Sequence, residues 1–173
     1  SKGQLVEVDR SGLVAGFVGQ TAIKTSEVIQ KALGGVLFID EAYALAGQDN
    51  PNDFGREAIE TLLKGMEDHR ADLVVIVAGY TQLMDRFLHA NPGLESRFNK
   101  YFYFEDYNGE QLMEIFCSMC GKNGYTLSDE SRKYAEEYFK TLYEERDENF
   151  GNARDVRNLF ERAVARQSDR VAA

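Results

Sequence analysis

Two hydrophobic patterns divide the chain. Up to about residue 106, short unbroken apolar runs alternate with amphipathic stretches. Beyond it only helical spacing remains. In the first part, Leu5-Val6-Glu7-Val8 predicts a short strand, and the glycine-rich stretch from Ser11 to Gly19 a loop. Thr21 to Leu33 predicts a helix stopped by Gly34-Gly35. Val36-Leu37-Phe38-Ile39 and Leu73-Val74-Val75-Ile76-Val77-Ala78 are continuous apolar runs, the mark of strands buried on both faces. Between them Asp53 to Asp68 predicts a helix, with Ala58, Ile59, Leu62, Leu63 and Met66 along one side and Asp53 as its N-cap. A short helix from Gln82 to His89 is broken by Asn91-Pro92-Gly93, and Tyr101-Phe102-Tyr103-Phe104 predicts a last strand. Apolar strands alternating with helices predict an α/β fold, a parallel sheet flanked by helices.

The second part predicts three helices. Leu112, Ile115, Phe116, Met119 and Cys120 form one stripe; Ala135, Tyr138, Phe139, Leu142 and Tyr143 a second; Val156, Leu159, Phe160, Ala163 and Val164 a third. Ser128 and Asn152 stand where N-caps are wanted. The expected organisation is an α/β part over residues 1–106 and a small helical domain over 107–173.

Composition narrows the function classes. A chain of 173 residues that is 43% hydrophobic can bury a core, which excludes a disordered tail. No apolar run approaches a membrane span, and the first residues, Ser1-Lys2-Gly3-Gln4, form no apolar signal segment. The net charge of -9 argues against a generic nucleic-acid coat. Two cysteines make no disulfide framework, so the expected compartment is the reducing cytoplasm. Their C-x-x-C spacing, Cys117 to Cys120, falls within a helical stripe and reads as packing.

The chemistry concentrates where the run Val36 to Ile39 ends in Asp40-Glu41. Adjacent carboxylates at the end of a buried strand are costly without compensation. In open parallel sheets ligands sit at the carboxyl ends of the strands. Two acids there suit a hydrated Mg²⁺ on a nucleoside triphosphate, with Asp40 holding the ion's water shell and Glu41 polarising the attacking water. A strand that merely exits into an acidic turn would look the same, and these six residues alone do not decide.

Neighbouring segments carry a resemblance. VLFIDEAYAL (Val36 to Leu45) resembles the Walker B motif of the AAA+ ATPases, and LVAGFVGQTAIKT (Leu13 to Thr25) resembles their pore-loop segment. DFGREAIETLLKGMEDHRADLVVIVAGY (Asp53 to Tyr80) is similar to the subfamily of the rubisco activase CbbX and the sporulation protein SpoVK. NPGLESRF (Asn91 to Phe98) resembles the arginine-finger region, and GNARDVRNLF (Gly151 to Phe160) the sensor-2 helix. The segments follow the family's order and cover essentially the whole chain.

The resemblance implies a partial P-loop NTPase core followed by a helical lid. It implies ATP and Mg²⁺ as ligands, a homo-oligomeric ring, expected to be a hexamer, and a protein substrate gripped at the pore by Phe17 and Val18. It implies that Arg97 acts on a neighbouring subunit's nucleotide, with Arg86 a second candidate, and that Arg154 touches the terminal phosphate. Tyr80 or Thr81 would orient water where the family commonly has a polar sensor residue. The bland readings are a packed Phe17, an ion pair of Arg97 with Glu95 or another acid, a packing Tyr80 and a solvated Arg154.

One departure stands out: no G-x-x-x-x-G-K-[ST] phosphate loop occurs in the sequence. The chain begins about where the family's second strand would, so a truncated piece is expected, with a natural pseudo-ATPase as the alternative. On either reading the chain alone should bind ATP poorly. A non-catalytic interaction or scaffold module is the rival function. A DNA-processing motor is disfavoured by the acidic balance.

Overall fold

The computed structural model describes residues 3–17, 19–46, 54–147 and 150–172. It divides into two compact units, Ser1–Tyr103 and Phe104–Ala173.

The first unit is built on strands β1 (Leu5–Val8), β2 (Gly35–Ile39) and β3 (Leu73–Val77), all parallel, in the order β1-β2-β3. The register sorts their side chains by face. Val6 and Val8 stand beside Leu37 and Ile39, which stand beside Val75 and Val77, and this face joins the core. Helices α1 (Arg10–Leu13), α2 (Gln20–Ala32), α3 (Gly55–Asp68), α4 (Thr81–His89) and α5 (Pro92–Arg97) complete the unit. The expected α3 stripe packs as read, with Ala58, Ile59 and Leu62 buried and Leu63 and Met66 against them. The residue before α3 is Phe54; Asp53 lies outside the described residues.

The opposite sheet face corrects the expectation of strands buried on both sides. It carries Leu5, Val36, Phe38, Val74 and Ile76, and of these Leu5, Val74 and Ile76 are 62%, 55% and 45% exposed. An unbroken apolar run shows that both faces can be buried, not that both are.

A second correction concerns Tyr101 to Phe104, which forms no strand. Its four aromatic residues are between 67% and 89% exposed. Aromatic β-propensity reflects packing on a pleated surface, and the segment finds no sheet neighbour here. Asn91 does end the α4 pattern, but it also starts α5: its side chain accepts from the Gly93 N–H, with Pro92 in the first turn.

The second unit packs α6 (Gly109–Lys122), α7 (Asp129–Glu144) and α8 (Ala153–Ala172). Leu112, Phe116, Cys120, Ala135, Phe139 and Val156 form its buried centre. Gly109 permits the close approach of α6 to α7, since a Cβ there would lie 2.8 Å from the Lys140 Cα. Ser128 caps α7 as expected, and Asn108 and Gln111 form a capping box on α6. Asn152 departs from its expected role. It takes a left-handed conformation (φ 55°), and its Oδ1 accepts from the Tyr107 N–H while its amide donates to Asp106. The Asp155 carboxylate instead reaches back to the Gly151 N–H. On α8 the core contact ends at Phe160, and Ala163 is exposed.

Candidate active site

Asp40 and Glu41 emerge together at the carboxyl end of β2, both exposed. The ladder continues past the strands to hold them. The Asp40 N–H donates to the Val8 carbonyl at 2.9 Å, the Ala78 N–H to Ile39 at 2.9 Å, and the Ala42 N–H to Ala78 at 3.1 Å. Glu41 lies in the left-handed region at φ 48°, ψ 44°, and opens a 3₁₀ turn over Ala42–Leu45. A non-glycine residue in that region costs about 1–3 kcal/mol, so its surroundings must over-determine it. Ala42 and Leu45 are almost fully buried and anchor the turn. Asp40 also accepts from the Glu41 N–H at 3.0 Å.

Two flanks support this turn. On the β3 side, the Tyr43 ring lies against Gly79, where a Cβ would come within 2.7 Å of it. Tyr80, 57% exposed, places its ring 6.5 Å from that of Tyr43. Burial, and then the neighbouring Glu41 carboxylate, raise the Tyr43 phenol above its usual range. On the β1 side lies a shallow cleft of about 360 Å³ lined by Asp9, Arg10, Ser11, Val14, Glu41 and Ala44. The Ser11 hydroxyl and the Gly12 N–H hold Asp9 below the usual carboxylate range. The sequence reading passed over Tyr43 and Arg10. Tyr43 sits inside the quoted VLFIDEAYAL segment, two residues past Glu41, and that proximity was the available signal.

The donor set fits a hydrated divalent ion. Asp40 and Glu41 offer hard carboxylate oxygens to solvent. Among the described residues no three His, Cys, Asp or Glu side chains gather into a cage. Such a set suits Mg²⁺, which keeps most of its waters and takes only one or two protein carboxylates.

The other expected residues lie elsewhere. Arg97 donates through Nη2 to Glu67 at 3.3 Å, the ion pair with another acid that the sequence left open. Its Nε is buried without a partner among the described residues. Glu67 is in the last turn of α3, which leads through the Leu73 N–H to His69 bond into the start of β3. The first residue of α3, Gly55, abuts the Leu45 carbonyl beside the Glu41 turn. Arg97 is thus paired at the last turn of α3, whereas the first residue of that helix is the one that abuts the Glu41 turn. Arg86 is exposed on α4.

Phe17 is 70% exposed, and Val18 lies outside the described residues. The base of their loop is pinned. Buried Thr21 accepts from the Ala15 N–H at 2.9 Å, buried Thr25 donates to Leu13 at 3.0 Å, and Lys24 donates to Ser11 and Val14. Glu57 of α3 accepts from the Ala22 N–H in the first turn of α2, which Gly19 leaves without a side-chain cap. Arg154 belongs to the second unit, exposed in the first turn of α8. There Cys120 is buried, and burial raises its thiol pKa.

A parallel sheet with an acidic pair at the carboxyl end of a strand, followed by a helical unit, defines an α/β protein whose ligand side is that end of the sheet. The chain belongs to the ATPase family associated with various cellular activities (AAA), whose profile it matches over residues 1–106. Residues 108–173 match the AAA lid domain. The chain is 48% identical over 170 residues to protein CfxQ of Xanthobacter flavus, covering 98% of this chain and 53% of that protein. It is 45% identical to protein CbbX of Cereibacter sphaeroides (98% of this chain, 54% of that one). It is also 45% identical to stage V sporulation protein K of Bacillus subtilis (99% and 53%). The chain thus spans about half the length of the relatives it matches. Among the described residues, no helix is long and apolar enough to cross a membrane.

Proposed function

We propose that the intact protein hydrolyses ATP between the subunits of a ring and uses the cycle to remodel or thread a protein substrate. The observation that carries this reading is the Asp40–Glu41 pair, presented to solvent at the carboxyl end of β2 on a left-handed residue. Asp40 would hold Mg²⁺ through its water shell, and the ion would neutralise charge on the phosphates. Glu41 takes the proton from the attacking water. Tyr80, the residue before α4, would orient that water.

Arg97 supports a site shared between subunits. It lies with Glu67 at the last turn of α3, and the ion pair that holds it there is partly exposed. Such pairs are worth about 0–1 kcal/mol, so release toward a neighbour's nucleotide is cheap. Arg154 of the lid unit would meet the terminal phosphate. Exposed Phe17 would grip a substrate chain through apolar area, with Val18 beside it. A hexameric ring is the proposed assembly.

The test is phosphate release by the intact protein. Glu41→Gln should lower turnover by about 100-fold or more while ATP still binds. Wild-type turnover by that variant would sink the assignment of Glu41.

The missing G-x-x-x-x-G-K sequence favours a second reading, a non-catalytic scaffold of AAA descent. It also leads us to propose weak ATP binding by this chain in isolation. Calorimetry decides: tight binding by the isolated chain would contradict that proposal, and absence of turnover in the intact protein would select the scaffold.

A further inference from the structure

We propose that Arg10 is a positioning residue for Glu41: its guanidinium fixes the turn that aims the carboxylate and ties that turn to the segment leading into the Phe17 loop. The inference rests on the reading of Glu41 as the base.

The geometry runs through one short hydrogen bond. Glu41 opens the 3₁₀ turn Ala42–Leu45 in a left-handed conformation, and the Ala44 N–H donates to the Glu41 carbonyl at 2.8 Å. The last carbonyls of so short a turn have no partner inside it. Arg10 Nη1 donates to the Ala44 carbonyl at 2.6 Å, a charge-assisted bond. The same guanidinium packs under the start of α3, where a Cβ on Gly55 would lie 2.8 Å from Nη1 and 2.1 Å from the Leu45 carbonyl. No larger residue than glycine fits there, so Arg10 and the turn share a tight seat.

Arg10 and Glu41 also line the same cleft. At its other end Arg10 is the first residue of α1, fixed by the Asp9 cap. The rest of α1 is held by Lys24 and Thr25 of α2. A displacement of the Glu41 turn therefore pulls on α1, whose end continues into the loop bearing Phe17. Without Arg10, the turn keeps the Asp40 bond to Val8 of β1 but loses its tie to α1, and Glu41 samples orientations that no longer face the attacking water.

The test uses the intact protein with Arg10→Met and Arg10→Lys, each also combined with Glu41→Gln. Arg10→Met should lower kcat about tenfold with KM for ATP within about twofold, because orientation and not binding is lost. Arg10→Lys, which can still donate one bond, should recover part of the loss. In the Glu41→Gln background Arg10→Met should cost nothing further. Amide hydrogen exchange at Ala44 and Ala46 should quicken in Arg10→Met and stay near wild type in Arg10→Lys. Wild-type kcat for Arg10→Met, an undiminished effect beside Glu41→Gln, or unaltered exchange would each overturn the proposal and leave the reading of Glu41 standing. Normal turnover by Glu41→Gln alone would overturn that reading and the proposal with it.

Discussion

The two units bury their apolar residues in opposite ways. In the helical unit, Leu112, Phe116, Phe139 and Val156 point from three helices into one centre, and the Phe116 ring meets that of Phe139 at a tilt at 5.5 Å and that of Phe160 edge to face at 6.4 Å. In the α/β unit one sheet face is packed as tightly, with Leu37 and Ile39 fully buried, while the other leaves Leu5, Val74 and Ile76 open. Asn108 and Ser128 cap α6 and α7 from nearby, as Asp9 and Asn91 cap α1 and α5 of the α/β unit, whereas the first turn of α2 is held by Glu57, 35 positions away from Ala22. The strained residue of the acidic turn, Glu41, also belongs to the α/β unit. Both units mix local caps with non-local support, so what sets the α/β unit apart is the sheet face it leaves open beside the candidate chemistry.

The largest effect that would break this contrast lies in the cores. Phe139→Ala should destabilise the helical unit by about 3–5 kcal/mol in urea unfolding, whereas Ile76→Ala on the open face should cost less than about 1 kcal/mol. Equal losses would mean that the sheet's second face is as buried as the helical centre.

Capping comes next. Asn108→Ala removes the side-chain half of the α6 box and should cost about 1 kcal/mol by the same measurement. A loss as large as that of Phe139→Ala would show that the cap supports more than its own helix.

The open face sharpens the comparison at the level of association. An exposed apolar face beside the free edge of β3 invites self-association. Sedimentation of this chain should show concentration-dependent association that Ile76→Lys reduces, while a lysine at exposed Tyr134 of the helical unit leaves it unchanged.

The smallest expected effect is electrostatic. The Asp85 carbonyl, and then the carboxylates of Asp85 and Glu95, raise the pKa of His89 at the end of α4. Its NMR titration midpoint should lie above the ordinary 6.5 and fall back in high salt. Because the folded pKa is raised, the stabilisation is complete below the ordinary value and fades as pH climbs through the folded one. A midpoint at or below 6.5 would contradict the contacts. Cys120 of the helical unit shifts for the opposite reason, by burial, and should be insensitive to salt.

Much of the architecture was legible because it is local. The α3 and α6 stripes, the run ending in Asp40-Glu41 and the Ser128 cap are each written within one or two turns of chain. The misreadings share a cause. Tyr101 to Phe104 has strand composition, yet a strand exists only beside another. Val74 and Ile76 read as buried because hydrophobicity records the capacity for burial and not its presence. Asn152 has the residue type of a cap, but its side chain finds Asp106 and the Tyr107 N–H, more than forty positions earlier. Arg10 drew no notice, since nothing near it in sequence signals a bond to Ala44.

The sequence by itself determined the parallel α/β class followed by three helices, the acidic pair and the resemblance that names the family, because periodicity and short motifs are properties of neighbouring residues. Only the tertiary structure decided which sheet face is covered, that Arg97 rests on Glu67, and that Arg10 and Tyr43 flank the Glu41 turn. Those facts depend on contacts between residues far apart in the chain, and such contacts form only when the chain folds.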